Sequence, residues 1–163
     1  MTSRADFTED EWARLGRAPL VVAVAISVAD PGGPIESLKE SRAALSAVAE
    51  AAGDGAPRGL VRDVAREVTG KLQRRESPLD GFKPDRRNPR PAILAELRAV
   101  YALLQEKATP DEVADFREWL RTIAQRTATA AKEGSFLGIG GEVVSEREQR
   151  MLETLGQIFG AGP

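Results

Sequence analysis

The chain has 163 residues, with 23 basic and 25 acidic side chains that give a formal net charge of −2. A domain of this length buries enough apolar surface to fold unaided, and its balanced charge gives no general attraction to nucleic acid or anionic membranes. Because cysteine and histidine are both absent, the sequence excludes thiolate chemistry, imidazole catalysis, and the zinc, haem or copper sites that use those side chains. We expect no resident cofactor. The one metal that the composition allows is a hard divalent cation, such as Mg²⁺, Ca²⁺ or Mn²⁺, held by carboxylates and carbonyls.

The N-terminal segment predicts two helices in succession. Thr8 and Glu11 form a capping box, which predicts a short helix that ends near Arg17. Pro19 suits the first position of a second helix, and the apolar run at residues 20–29 places that helix at the centre of a bundle. The valines of this run also suit a buried strand, but no partner strand is visible, so we favour the helix.

The same apolar run bears on the location of the protein. At ten residues it is too short to span a bilayer. The N-terminus begins with polar residues and contains no signal-peptide core. We therefore expect a cytoplasmic protein with no membrane span.

A strong turn at residues 30–33 precedes the next predicted helix. This helix covers residues 34–52, because Pro34 suits a first helical turn and a glycine-rich stop follows at residues 53–55. Its predicted inward face consists of Ile35, Leu38, Leu45, Val48 and Ala52. A further helix is predicted over residues 57–74. Its inward stripe consists of Leu60, Val61, Val64, Val68 and Leu72.

Residues 75–91 contain four prolines and many charges, which predict an irregular connector. We expect it to lie on the surface, held there by Leu79 and Phe82. Its basic side chains are of a kind that binds RNA, DNA or an acidic partner. Interleaved acidic residues and the lack of stacking aromatics favour a solvated loop instead, so nucleic acid is not an expected partner.

Two helices are predicted next along the chain. The first covers residues 91–107, and its inward stripe consists of Ile93, Leu94, Leu97, Val100, Tyr101 and Leu104. A capping box at Thr109 and Glu112, with Pro110 between them, opens a long helix that ends near Glu133. Its predicted buried residues are Val113, Phe116, Leu120, Ile123 and Thr127. We interpret Trp12, Trp119 and Tyr101 as packing residues, since they fall at core spacing.

A third capping box, formed by Ser145 and Glu148, opens the last helix. Leu152, Leu155 and Ile158 are predicted to face inward from it. Together these elements predict an all-α fold, a compact bundle of about seven helices, in a single domain over residues 1–163.

Two segments of the chain resemble each other. Residues 32–40 and 140–148 both read Gly-Gly-x-aliphatic-x-Ser-x-basic-Glu. Trp12 precedes the first segment by 20 residues, and Trp119 precedes the second by 21. The pattern is consistent with two pseudo-repeats related by a pseudo-twofold axis. It is equally consistent with chance matches, which arise easily in alanine-rich helical proteins.

A family resemblance rests on residues 11–31, on 118–120, and on the run Lys-Glu-Gly-Ser-Phe-Leu-Gly-Ile-Gly-Gly at 132–141. These stretches resemble an uncharacterised family of small bacterial helical proteins, whose KEGGFLGFGG-like signature is followed by Val-Ser and a glutamate. The resemblance implies a helical fold over most of the chain and implies no activity.

The chain is more weakly similar to TerB-like tellurite-resistance proteins, which are helical and carry an acidic metal site built on Asp-Gly. The similarity lies in the double-glycine turns and the helix starts that follow them. The first turn departs from the family pattern because Pro31 follows Asp30, and the second turn at residues 140–141 has no aspartate. Both departures weaken the implied metal site.

The glycine-rich loop before the last helix is the most distinctive candidate site. Its candidate partner-binding or ligand-binding residues are Phe136, Leu137, Gly138, Ile139, Gly140 and Gly141. Free N–H groups in such a loop bind phosphate in other proteins, but this loop follows a helix and lacks a P-loop lysine. Contact with a protein partner or lipid is a second interpretation. The structural interpretation, which we favour, is a tight connector whose apolar side chains close one end of the bundle.

A second candidate site gathers carboxylates at the two double-glycine turns. If a pseudo-twofold brings the turns together, one group can bind a hard cation. Its members are Asp30, Glu36, Glu40 and Glu142. The structural interpretation is stronger, because acidic residues in a first helical turn complement the helix dipole.

These observations favour a non-catalytic cytosolic protein that acts as an interaction or stress-associated module. Its glycine loop or a helical face would meet another protein or a second copy of the chain. The alternative is a carboxylate-based metal-ion or anion binder, similar to TerB-like proteins. An enzyme that uses only carboxylates, lysine or Tyr101 is the least favoured reading.

Overall fold

The computed structural model describes residues 1–130 and 144–160, and within them the regular structure is entirely helical. A short 3-10 helix, Arg4–Asp6, precedes six α-helices. These are α1 (Glu9–Ala29), α2 (Pro34–Ala52), α3 (Leu60–Gln73), α4 (Arg90–Lys107), α5 (Pro110–Ala130) and α6 (Glu146–Ile158). The all-α prediction is confirmed, and the expected seven helices are close to the six observed.

The difference in number lies in the N-terminal segment, where the two predicted helices are one. α1 runs continuously through Pro19, which lies inside the helix. A proline there removes an N–H and costs about 3 kcal/mol in a helix interior. α1 contacts all five other helices, and Val21, Val22 and Ile26 are completely buried. Burial of α1 on all sides outweighs the local cost of Pro19, which sequence pattern does not reveal.

The continuity of α1 changes the argument about membranes. In the described part of the chain, α1 is the one helix long and apolar enough to cross a bilayer, judged by length and composition alone. The buried core helix of a globular protein passes the same test, and 56% of the most apolar window of α1 is buried in the bundle. The finding is a single weak candidate and gives no series of membrane-spanning helices.

The inward face of α2 differs from the prediction. Ile35 is 68% exposed and Leu38 is 53% exposed. The buried residues of α2 are Glu40, Ala44, Ala47 and Val48. α2 packs mainly on α3 and α5, and small alanines let those helices approach closely. The apolar pattern predicted that the large side chains of α2 face the core. In the structure the face that carries the alanines packs against α3 and α5 instead.

The connector before α4 is irregular, as its prolines predict. Leu79 and Phe82 pack against the core as expected. Arg17 of α1 adds a polar attachment, because its Nη1 donates to the carbonyl of Asp80 at 3.1 Å and its Nη2 lies 3.1 Å from Glu96 Oε1. The connector is therefore held in place by apolar contacts and by a hydrogen bond from α1, while the Glu96 ion pair joins α1 to α4.

All three predicted capping boxes are present. The backbone N–H groups of Glu11 and Glu148 each donate to the hydroxyl of the cap residue, Thr8 or Ser145, at 3.2 Å. At Thr109, the Glu112 carboxylate accepts the backbone N–H at 3.0 Å. Each box satisfies donors that a helix start would leave unpaired.

Candidate functional site

The first double-glycine turn joins α1 to α2. Asp30 ends α1, and Gly33 precedes the first residue of α2. The Glu36 side chain folds back over the turn, since a Cβ built on Gly32 would lie 2.8 Å from the Cβ of Glu36. Glu36 therefore lies at the positive end of α2, which is the dipole-complementing position expected of a first-turn acid.

Glu40 lies one turn further along α2 and is only 2% exposed. Its carboxylate accepts a hydrogen bond from the Ser27 hydroxyl of α1. Asp30 and Glu40 both take part in further interactions. Glu40 thus links α2 to α1 inside the bundle, a structural role that the metal hypothesis did not anticipate.

Only part of the proposed cation site lies within the described residues. Within residues 1–130 and 144–160, no three carboxylates form a group that could hold a metal ion. Glu142, the fourth predicted member, lies outside the described residues. The complete four-carboxylate site therefore stays a prediction. The second double-glycine turn lies outside them too, so the pseudo-repeat is also untested.

The candidate glycine loop falls entirely outside the described residues. Its six named members are Phe136, Leu137, Gly138, Ile139, Gly140 and Gly141. Their proposed contact with a partner or ligand remains a prediction.

An apolar groove opens between α1, α2 and the end of α3. We call it the α1–α2 groove, and its volume is about 240 Å³. It is lined by Leu20, Ala23, Val24, Ser27, Ser41, Ala44, Leu45, Leu72 and Leu79. Leu72 was predicted to face inward but is 39% exposed at this groove. The groove therefore presents apolar side chains that the core does not cover.

A second depression lies between the start of α3 and the first half of α5. We call it the α3–α5 cleft, and its volume is about 360 Å³. The lining residues are Met1, Ala51, Ala56, Pro57, Arg58, Gly59, Leu60, Val61, Arg62, Glu112, Asp115, Glu118, Trp119 and Thr122. Charged groups of both signs therefore meet apolar side chains in one concave surface.

Two nitrogen atoms of this lining are buried without a hydrogen-bond partner. They are the indole Nε1 of Trp119 and the Nε of Arg62. Buried polar groups in proteins are nearly always paired, so each such atom calls for an explanation. Trp119 was predicted to be a packing residue, and it is indeed buried. The spacing of apolar residues did not predict that its indole N–H would be unpaired.

The sequence contains one signal for this cleft. The run Gly-Asp-Gly-Ala-Pro-Arg-Gly at residues 53–59 leads into α3. The N-cap of α3 is Gly59, which makes no side-chain capping bond. Gly33 at α2 and Pro89 at α4 also make no side-chain capping bond, so the local feature that distinguishes α3 is the positive φ of Gly59, 151°.

Glu112 lies at the edge of the cleft and ties the N-terminus to α5. Its carboxylate accepts hydrogen bonds from the backbone N–H of Thr2 at 2.8 Å and from the hydroxyl of Thr109 at 3.0 Å. Desolvation raises the pKa of Glu112, but the hydrogen bonds from Thr2 and Thr109 together outweigh it and lower the pKa to about 2. Glu112 is therefore a charged structural anchor.

We expect Glu112→Gln to lower the free energy of unfolding by about 1 kcal/mol at neutral pH, through loss of the cap and of the Thr2 bonds. Because the folded-state pKa is lowered, the carboxylate stabilises the fold above its ordinary pKa of 4.5, and this contribution disappears as the pH falls toward 2. The free energy of unfolding, measured with urea at each pH, should fall less steeply with decreasing pH for Glu112→Gln than for the natural chain. Glu106→Gln, an exposed change on α4, should show the same pH dependence as the natural chain. The same pH dependence in all three proteins would contradict the stabilising role of the Glu112 carboxylate.

Comparisons of the chain with protein-family models, with curated proteins and with solved structures gave no match.

Proposed function

We propose that the chain is a non-catalytic, cytoplasmic helical module that binds an acidic, amphipathic segment of another protein in the α1–α2 groove. The observation that carries the proposal is the exposure of leucines at this groove. Leu72 lines the groove and is exposed. Leu38 is also exposed and lies two helical turns before the groove residue Leu45 on the same face of α2. Contiguous exposed apolar surface of this kind is typical of protein-binding sites.

The charges beside the groove favour an acidic partner. Lys39 lies four residues after Ile35 and is half-buried, and Arg42 lies four residues after Leu38 and is exposed, so each cation lies one turn from an exposed apolar residue of α2. Neither forms an ion pair with any residue that the structure describes. A helix with leucines on one face and carboxylates beside them would bury the apolar surface and neutralise both cations.

The same charges argue against a second copy of the chain as the occupant. Pairing two α2 faces would bring Lys39 and Arg42 of one copy toward the same cations of the other. Like charges brought together destabilise an interface. The absence of histidine and cysteine, which removes the common nucleophiles and bases, supports a binding role over a catalytic one.

The proposal can be tested with a labelled synthetic helical peptide that has leucines at helical spacing and glutamates elsewhere. We expect saturable binding by fluorescence anisotropy, and weaker binding as salt is raised. Leu38→Ser and Arg42→Gln should each weaken binding about tenfold, since burial of one leucine or one charged contact contributes at least about 1.4 kcal/mol. Arg98→Gln, a matched exposed change on α4, should bind as the natural chain does.

A peptide with lysines in place of the glutamates is the matched probe for charge. Equal binding of the acidic and basic peptides would contradict the proposal, as would binding that Leu38→Ser and Arg42→Gln leave unchanged. Because Leu38 is 53% exposed, its replacement should preserve the fold. A circular dichroism melt of each variant checks that folding and binding are separated.

A further inference from the structure

A further concave surface, which we call the α5–α6 groove, lies between α5 and α6 and has a volume of about 190 Å³. It shares no lining residue with the α1–α2 groove or the α3–α5 cleft. Its apolar lining consists mainly of Leu120, Ala124, Leu152, Leu155 and Phe159. An apolar wall with a few polar groups at its edge is typical of small-molecule sites. The groove therefore offers a surface for the apolar part of a small ligand.

Arg117 places a positive charge at one end of this groove. Its Nη1 donates to the carbonyl oxygens of Phe159 at 3.2 Å and Gly160 at 2.6 Å, where α6 ends. These bonds fix the guanidinium, but no carboxylate pairs with it within the described residues. Its Nε and Nη2 have no described partner, and neither belongs to the buried unpaired nitrogens, so solvent reaches both. Nε and Nη2 are the parallel donors through which an arginine binds a carboxylate with two hydrogen bonds.

The other charged groups of the lining leave this end of the groove cationic. Arg121 also lines the groove and already lies 3.5 Å from the Glu118 carboxylate, which is outside the lining. Glu153 is exposed and lies six residues before Phe159, about 9 Å along the axis of α6. That separation is about one Debye length at physiological ionic strength, so Glu153 repels an anion at Arg117 only weakly.

We propose that the α5–α6 groove binds a small carboxylate with an apolar tail. The carboxylate accepts from Nε and Nη2 of Arg117, and the tail lies against Leu152 and Leu155. A volume of about 190 Å³ suits a tail of about six carbons, since a cavity of about 150 Å³ in another protein holds benzene. This site is separate from the α1–α2 groove and does not depend on the function proposed for it.

The test is a titration of the ¹⁵N-labelled chain with sodium hexanoate, followed through backbone amide resonances. The resonances of Ala124 and Leu155 should shift and reach saturation. Hexan-1-ol keeps the tail but lacks the charge, so it should bind at least about tenfold more weakly. Acetate keeps the charge but lacks the tail, and it should produce no saturable shift at the same concentrations.

Substitutions then identify the residues. Arg117→Gln should raise the dissociation constant for hexanoate about tenfold, as expected for loss of a charge-assisted contact, and leave that for hexan-1-ol unchanged. A general loss of structure would weaken both. Arg147→Gln, the same change at an exposed position of α6 outside the lining, should leave hexanoate binding as it is. Glu153→Gln should tighten hexanoate binding about twofold by removing a like charge, with no effect on hexan-1-ol.

The absence of a saturable shift with hexanoate overturns the proposal, as does equal affinity for hexanoate and hexan-1-ol. It is also overturned if Arg117→Gln folds and binds hexanoate as Arg147→Gln does. If Arg117→Gln does not fold, the effect of Glu153→Gln on hexanoate against hexan-1-ol decides, and equal effects on the two ligands contradict the proposed site.

Discussion

Replacing Leu15 by alanine should lower the free energy of unfolding by about 2–5 kcal/mol. Leu15 has no exposed surface and lies on α1, which contacts each of the other five α-helices. Truncation leaves a cavity that close-packed neighbours on several helices cannot fill together. Urea unfolding followed by circular dichroism measures the change directly. We expect the transition midpoint to move with little change in slope, because the same surface is exposed on unfolding.

Leu38→Ala is the matched control for that experiment. The substitution is chemically identical, but Leu38 is 53% exposed on α2. We expect a change within about 0.5 kcal/mol, as for most surface positions. Equal losses at Leu15 and Leu38 would mean that Leu38 is part of the core, as the apolar periodicity of α2 predicts. That outcome would also remove Leu38 from the binding surface proposed for the α1–α2 groove.

A second large effect is expected at Gly59, where alanine should destabilise the fold by about 1–3 kcal/mol. Its φ of 151° lies in a region that L-residues with a Cβ avoid, and it forms the start of α3. A Cβ built there meets no heavy atom within 4 Å. The expected loss is therefore conformational, and a thermal melt should detect it as a lowered transition temperature.

Gly55→Ala tests that explanation, because a Cβ built on Gly55 also meets nothing within 4 Å. The φ of Gly55 is not positive, so alanine there should be neutral or should stabilise by about 0.4–1 kcal/mol through the unfolded chain. Destabilisation of similar size at both glycines would show that φ at Gly59 is not the cause. The comparison is informative because both residues belong to the same glycine-rich approach to α3.

Much of the helix frame could be predicted from local chemistry. Thr8, Thr109 and Ser145 each start a helix because a hydroxyl and a glutamate three residues later pair with the first backbone groups. Pro34 starts α2 as its fixed φ favours. All partners in these interactions lie within three or four residues of one another, so a short stretch of sequence is enough to predict them.

The candidate sites were harder to predict from the sequence than the positions of the helices. The metal hypothesis names Asp30, Glu36, Glu40 and Glu142, and the structure shows that the buried Glu40 accepts a hydrogen bond from Ser27. Arg62 and Trp119, which both line the α3–α5 cleft, are far apart in the chain, and no sequence motif links them. An unpaired buried donor exists only once distant helices have packed, so local sequence does not reveal it.

The sequence by itself determined the all-α class, the capped helix starts and the irregular connector, because each depends on neighbouring residues. Only the tertiary structure decided that α1 continues through Pro19 and that α2 turns its alanines inward. Those outcomes depend on burial summed over several helices, which outweighs local preferences of about 1–3 kcal/mol. The same packing leaves Leu38 of α2 exposed and leaves the buried Trp119 N–H unpaired.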